Sequence, residues 1–497
     1  MTPQMVFPEA DFSLMIPQLI VLGLSLAVIA VDLILMRGHA RLLSWLSLLG
    51  YGGALAATVW YGLYGLPGVN GPRFVDTTFG GMVRWDPLAV FFMIVILSAA
   101  LLTVLLSDTY MPLRRMPMGE FYTVMALGTL GMLLTASAGD LVMVFIGIEL
   151  SSVAIYVMTG FQRTRAESLE AAIKYFLLGI FATAILVYGM TWLYGLTGAT
   201  NLDQIAQFLA TSPGLGTSPA VLFALLLLVV GLGFKAAAVP FHMWTPDAYT
   251  GAPTPVTAFM SVAPKAAAFV AIVRVLVQAL TPLAQQWTLA VMVLAALTMV
   301  LGNVVAVTQR NVKRMLAYSS IAHTGYMLVG LAAYQPGQGD QGVPSLLFYS
   351  FAYVFMNVGA FGVVIWLQAR GGGTDISDYN GLASRAPLAA AALAVCLFSL
   401  LGVPPLLGFW AKYYVIVAAV QANLIWLAVL VVLTSAVSAY FYLRVFAVMY
   451  FGDVAQELRP QRAPLLQVGL GLTVLATIAF GLVSGPLLAL AQKYALF

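Results

Sequence analysis

Fourteen apolar runs, each about twenty residues or longer, punctuate the 497-residue sequence and decide what it can fold into. They cover residues 13–36, 42–65, 87–106, 119–138, 141–161, 169–196, 218–240, 253–280, 286–308, 314–334, 344–369, 387–420, 424–450 and 464–491. About 20 apolar residues in a helix cross the hydrocarbon core of a bilayer. Backbone groups at that depth must be satisfied within the segment, so runs of this length mark helices. Only 8% of the residues are charged, against about 25% in soluble domains. The expected fold class is an all-α polytopic membrane protein of about 14 transmembrane helices. The stretch 197–217 is expected to hold a short surface helix near Leu202–Leu209.

The charges left in the loops give orientation. One alternate set carries Arg37, Arg41, Arg114, Arg115, Arg163, Arg165, Arg310, Lys313, Arg314, Arg370, Arg385, Arg459 and Arg462, whereas the other carries only Arg73 and Arg84. The positive-inside rule places the first set in the cytoplasm and both termini outside. The net charge of +4 is thus topological, and nucleic-acid binding is not expected. The N-terminal twelve residues hold Glu9 and Asp11 but no basic residue, which argues against a cleavable signal. The single cysteine, Cys396, leaves no intrachain disulfide, and no CxxC or CxxCH spacing exists. With three histidines (His39, His242 and His323), an iron–sulfur cluster has no ligands and a bis-histidine haem barely has any.

Charges inside the spans carry the functional signal. Lys174, Lys235, Lys265 and Lys412 fall within apolar runs, as do Arg274 and Arg444, which lie near span ends where snorkelling is easy. Arginine stays protonated in proteins, whereas a lysine can give up its proton when buried. Each lysine at a helix centre costs about 2.5–3.5 kcal/mol on insertion scales. Four of them are either functional or serve to glue helices together, the latter fitting Lys174 best. At 1.5 Å per residue, Glu149, Lys265 and Lys412 come out roughly 13–18 Å from the nearer edge, and Lys174 only about 8 Å.

Two spans are internally broken. Span seven ends in Lys235-Ala236-Ala237-Ala238-Val239-Pro240-Phe241-His242, and span twelve contains Leu401-Gly402-Val403-Pro404-Pro405 ahead of Lys412. Proline removes a backbone donor and frees carbonyls that need polar company at membrane depth. Broken helices at matching places in two halves point to inverted repeats, here spans 4–8 and 9–13, with packing kinks as the alternative. His242 and His323 add imidazoles, which relay protons near neutrality or are simply satisfied by a hydroxyl. The Gly231-Leu232-Gly233-Phe234-Lys235-Ala236 stretch fits a loose GxGxxA pattern, but no strand precedes it, so a dinucleotide site is excluded.

The run Phe234-Lys235-Ala236-Ala237-Ala238-Val239-Pro240-Phe241-His242-Met243-Trp244-Thr245-Pro246-Asp247, the segment Gly251-Ala252-Pro253-Thr254-Pro255, and Ala263-Pro264-Lys265-Ala266-Ala267 form an almost continuous signature. With Arg314-Met315-Leu316-Ala317-Tyr318-Ser319-Ser320 and the Pro404-Pro405 to Lys412 run, it resembles the N-type antiporter-like membrane subunit of proton-pumping NADH:quinone oxidoreductase, respiratory complex I. The resemblance spans residues 13–491. It implies a Glu149–Lys235 pair, Lys265 as the connecting lysine and Lys412 as the terminal one. Lys174, His242 and His323 become accessory members of a polar axis. Lysine at 412 departs from the M-type relative, which carries glutamate there, and no long transverse helix follows span fourteen as in the L-type.

The resemblance also implies K-type and M-type membrane subunits as partners. It leaves no cofactor in this chain, with NADH, FMN, iron–sulfur clusters and quinone in other subunits, and it implies a bacterial inner membrane. The expected function is proton translocation driven by redox chemistry elsewhere, so the chain is an enzyme only as a subunit of the oxidoreductase. A stand-alone or Mrp-type cation/proton antiporter on the same fold is the alternative, since buried lysine and glutamate fit both. The expected divisions are a three-helix segment at 1–118, a first repeat at 119–280, a second at 281–450 and a C-terminal helix at 451–497. Glu149 and Lys235 are expected about 4–8 Å apart on facing helices, because buried opposite charges relieve each other's desolvation.

Overall fold

The computed structural model describes residues 10–34, 40–65, 75–212, 214, 216, 218–337, 339–454 and 458–495. Glu9, Arg37, His39 and Arg73, used above, lie outside the described residues.

The chain is built from helices in the order α1 (Ile16–Ile34), α2 (Ala40–Tyr64), α3 (Pro87–Leu113), α4 (Met118–Ala136), α5 (Leu141–Thr159) and α6 (Ala166–Thr197). There follow α7 (Leu202–Thr211), α8 (Pro219–Ala236), α9 (Trp244–Gly251), α10 (Thr254–Met260) and α11 (Ala263–Ile272). The rest comprises α12 (Ala284–Val307), α13 (Val312–Ala332), α14 (Gly342–Ala369), α15 (Leu382–Arg385), α16 (Pro387–Leu401), α17 (Leu407–Gln421), α18 (Ile425–Phe451), α19 (Pro464–Leu482) and α20 (Ser484–Tyr494). Among the described residues, twelve helices are long and apolar enough to cross a membrane. Two runs read as spans fall outside that set. Helix α13 carries Lys313, Arg314, Ser319, Ser320, His323 and Thr324, and the 387–420 run is divided into two 15-residue halves, α16 and α17.

Capping residues fix where the helices begin. Asp86 caps α3, accepting from Ala89 N at 2.8 Å with Pro87 at the first helical position, and Asp140 caps α5 through Val142 N at 2.8 Å. Ser218 and Asn311 do the same for α8 and α13. Each supplies a side-chain oxygen to an otherwise orphaned N–H. The stretch before Asp86 is a short hairpin, β1 (Asp76–Thr78) antiparallel to β2 (Val83–Trp85), rather than a plain loop. The surface helix forms as expected, capped by Asn201.

The interior is formed by α3, α10–α11 and α14, whose residues are mostly buried, while α1, α2, α6, α12, α18 and α19 turn apolar side chains such as Leu26, Trp60, Phe181 and Leu475 outward. Apolar residues facing out as well as in are what a bilayer solvent demands. The last apolar run, 464–491, is two helices rather than one, α19 and α20.

Both proline breaks occur where the sequence places them, and by the same device. Helix α8 ends with Ala237 left-handed (φ 62°), with Ala238 N donating to Gly233 O and Ala237 N to Phe234 O. Helix α16 ends with Gly402 left-handed (φ 93°), with Val403 N donating to Phe398 O and Gly402 N to Ser399 O. This six-to-one plus five-to-two pattern is the Schellman C-cap. A third break parts α10 from α11 at Ser261–Val262, three residues before Lys265 at its nearer edge, and α11 runs on into a π-helical stretch, Val273–Ala279. Neither was foreseen.

Candidate functional site

The side chains gathered near these breaks form a line of polar nodes. At the first, Lys235 on α8 donates from Nζ to Glu149 Oε1 on α5 at 3.0 Å, to Ser152 Oγ at 2.8 Å and to Thr183 Oγ1 on α6 at 3.2 Å. Thr183 in turn donates to Glu149 Oε1 at 2.7 Å. The pair is thus in direct contact, closer than the 4–8 Å range expected about such a pair. Lys235 is the more buried partner, and Glu149 keeps a quarter of its side-chain surface.

At the second node Lys265 is buried, and among the described residues no carboxylate pairs with it. Its Nζ donates to the Ser320 carbonyl at 2.7 Å, Ser320 Oγ at 2.5 Å and Thr324 Oγ1 at 3.0 Å, all on α13. Thr324 donates to the Ala236 carbonyl at 2.9 Å, an acceptor at the end of α8. That hydroxyl ties the Lys265 node to the residue after Lys235.

Farther along α13, His323 is buried, with Nδ1 2.6 Å from Tyr349 Oη and Nε2 3.3 Å from Tyr442 Oη. Tyr442 also meets Ser319, the neighbour of Ser320, at 2.5 Å. At the far end Lys412 donates to the Leu401 carbonyl at 2.8 Å and lies 4.9 Å from the centre of the Tyr326 ring. Leu401 is the last residue of α16, so the break supplies the acceptor. Glycine is favoured at 402: a Cβ would sit 3.1 Å from Lys412 Cδ, on a left-handed backbone that disfavours side chains.

Glu149, Lys235, Lys265, His323 and Lys412 are therefore linked in that order through shared neighbours, the last two across the Tyr326 ring. His242 does not join them: it is half-buried past the α8 break, beside the Pro240 carbonyl. Lys174 is half-exposed, 2.6 Å from Glu170 and 3.4 Å from Asp247 at a surface cleft. It is not a buried charge, because its face of α6 turns outward. Two other readings are corrected. Arg274 does not snorkel: it is fully buried, clamping Asp86 with Nη1–Oδ2 2.5 Å and Nη2–Oδ1 2.7 Å. Lys313 is no loop cation but is buried, donating to the carbonyls of Thr250 and Ala252.

The hydroxyl groups were missed by sequence reasoning. Ser152, Thr183, Ser320, Thr324, Tyr349 and Tyr442 carry no charge signal, and only helix packing aims them at the lysines. Thr324→Val keeps the shape and removes the bridge between the Ala236 carbonyl and Lys265. A hydrogen bond to a charged group is worth about 1.5–3 kcal/mol. Transport turnover is expected to fall severalfold with unchanged yield of the folded protein, measured as proton uptake in sealed vesicles; unchanged turnover would make the bridge incidental.

Broken helices packed around a buried line of ionisable and hydroxyl groups define a polytopic membrane protein of the ion-translocating type. The chain belongs to the family described as NADH:quinone oxidoreductase/Mrp antiporter, TM, whose model matches residues 138–438. NADH-quinone oxidoreductase subunit N of Trichlorobacter lovleyi is 44% identical over 453 residues, covering 91% of this chain and 90% of its own. A chain of respiratory complex I from Thermus thermophilus with bound aureothin is 34% identical, with a TM-score of 0.77 and coverage of 95% and 98%. A chain of the Mrp complex from Dietzia sp. shares the fold, with a TM-score of 0.83 and 22% identity over 96% of each chain.

Proposed function

We propose that this chain is a proton-translocating membrane subunit of NADH:quinone oxidoreductase, moving protons along Glu149, Lys235, Lys265, His323 and Lys412 while electron transfer proceeds in other subunits. The carrying observation is the Glu149–Lys235 ion pair together with the Thr324 hydroxyl, which joins Lys265 to the carbonyl of Ala236, the chain neighbour of Lys235. While Glu149 holds Lys235, the pair is neutral toward Lys265. Opening the pair leaves the Lys235 ammonium uncompensated and repels charge at the next lysine, an effect strong at low dielectric. His323, between Tyr349 and Tyr442, relays toward Lys412, while Lys174 and His242 serve as accessory groups off the main line.

In this reading the helices make fourteen crossings, the twelve above plus α13 and the α16–α17 pair. They comprise a three-helix segment (1–118), two inverted five-helix repeats (119–280 and 281–450) and a C-terminal part (451–497). The matching Schellman ends of α8 and α16 support the repeat. The chain resides in the inner membrane with both termini outside, against K-type and M-type subunits. NADH, FMN, iron–sulfur clusters and quinone are bound elsewhere in the complex. A cation/proton antiporter shares the fold, but 44% identity to a subunit N over nine-tenths of the chain favours the oxidoreductase.

The test uses inside-out membrane vesicles containing the intact complex. Glu149→Gln strands Lys235 as an unpaired buried charge, a loss of about 3–5 kcal/mol. NADH-driven lumen acidification is expected to fall by an order of magnitude or more, with the complex still assembled on a native gel. A C-terminal tag should be protected from added protease in the same vesicles. Full acidification in the variant would refute the proposed line, and a cleaved tag would refute the orientation.

A further inference from the structure

One acid stands outside this line. Asp32 lies in the last turn of α1, half-buried, and among the described residues no hydrogen bond or ion pair reaches its carboxylate. A carboxylate is disfavoured at a helix C-terminus, where the helix dipole is negative, and an ionisable group at the edge of a span calls for a partner. The first turn of α4 presses against it: a Cβ on Gly119 would fall 2.2 Å from Asp32 Cγ. The positive end of the α4 dipole faces it, but among the described residues no side-chain cation pairs with it.

Asp32 forms part of the wall of a cavity of about 660 Å³ between α1, α4 and α5, within the range of about 300–1,000 Å³ typical of ligand sites. Its apolar wall is formed by Ile29, Leu33, Val124 and Val157, of which Ile29, Leu33 and Val157 face outward where lipid would lie. Its polar rim holds Asp32, Glu120 and Arg163, with Arg163 Nη2 3.4 Å from Glu120 Oε2. All three rim residues sit where α1 ends, α4 begins and α5 has just ended, hence at one edge of the membrane.

We infer that this groove is a phospholipid site selective for a zwitterionic headgroup with a primary ammonium, the ammonium seated at Asp32 and the phosphate at Arg163. An acyl chain would follow the apolar wall into the bilayer. The charges choose the occupant: among the described residues the rim carries two carboxylates and one guanidinium, which oppose an anionic lipid, whereas a headgroup carrying both signs meets a complement for each. A primary ammonium also donates N–H bonds to a carboxylate, which a trimethylated one cannot.

The test uses the intact complex, stripped of lipid and re-exposed to phosphatidylethanolamine, phosphatidylcholine or phosphatidylglycerol, with retained lipid weighed by native mass spectrometry. Phosphatidylethanolamine should be held about tenfold more tightly than either other lipid, the scale of one charge-assisted hydrogen bond. Asp32→Asn should abolish that preference, and Arg163→Gln should weaken phosphatidylethanolamine and phosphatidylcholine alike. Val124→Trp, which fills the groove and leaves the rim intact, should remove the bound lipid even if Asp32→Asn assembles poorly. Preferential retention of phosphatidylglycerol, equal retention of all three, or a preference that survives Asp32→Asn and Val124→Trp would overturn the assignment. Absence of any retained lipid in the unmutated complex would do so too, leaving the groove to a neighbouring protein segment.

Discussion

Lys265→Arg and Lys412→Arg are each expected to leave the complex assembled while cutting proton pumping and coupled quinone reduction by about a hundredfold or more, the low end for a lost proton-transfer group. A lysine that merely balances charge tolerates arginine, because the cation is kept and hydrogen bonding is preserved. A lysine that must release its proton in each cycle does not, because guanidinium stays protonated at accessible pH. The surroundings sharpen the contrast. Both lysines are buried, and their hydrogen bonds run to carbonyls and hydroxyls with no carboxylate among them. A fixed cation there would have no counter-charge to justify its burial. Assembly is read on a native gel, and activity as quinone reduction beside a pH-gradient dye in sealed vesicles. Near-normal pumping in both variants would show that the two lysines are static charges.

Asp86→Ala should be the most destabilising single change in the chain, costing about 3–5 kcal/mol by stranding a buried cation. Asp86 and Arg274 are both fully buried, and Arg84 also reaches Asp86, with Nε–Oδ2 3.0 Å. Arg274 further donates to the Ala136 carbonyl, and Arg84 to Asp203 on α7. This cluster pins α3, the end of α4, the π-helical stretch after α11 and the surface helix to one another. Removing both charges in Asp86→Leu/Arg274→Met should recover most of the loss, since an apolar pair replaces a buried ion pair at little cost. Thermal inactivation midpoints of the solubilised complex, with yield, test this. An unchanged midpoint in Asp86→Ala, or a double variant worse than the single, would show that the cluster is peripheral to stability.

The reasons some features were legible in the sequence lie in periodicity and covalent geometry. Apolar runs measure themselves against a bilayer, and prolines at 240, 404 and 405 forbid a continuous ladder, so twelve of the spans and two breaks could be read directly. Lysines in apolar runs are conspicuous because each is costly. The break at Ser261–Val262 was signalled only by Pro264, which takes the second position of α11 and was not read as a helix start. Arg274 was misread because distance from a span end says nothing about what surrounds a side chain. Lys174 was misread likewise: sequence gave its depth along α6, not which way its face turned.

The sequence alone determined that the chain lives in a membrane as helices, where two of them must break, and that Lys235, Lys265 and Lys412 are costly charges held inside. Those properties follow from local chemistry, the length of an apolar run and the missing N–H of proline. Only the tertiary structure decided that Lys235 touches Glu149, that Thr324 links Ala236 to Lys265, that Tyr349 and Tyr442 bracket His323, and that Arg274 closes on Asp86 188 residues away. The physical reason is angular. Each residue turns a helix by about 100°, and the face a side chain presents to its neighbour depends on how whole helices cross and pack. No run of sequence encodes that by itself.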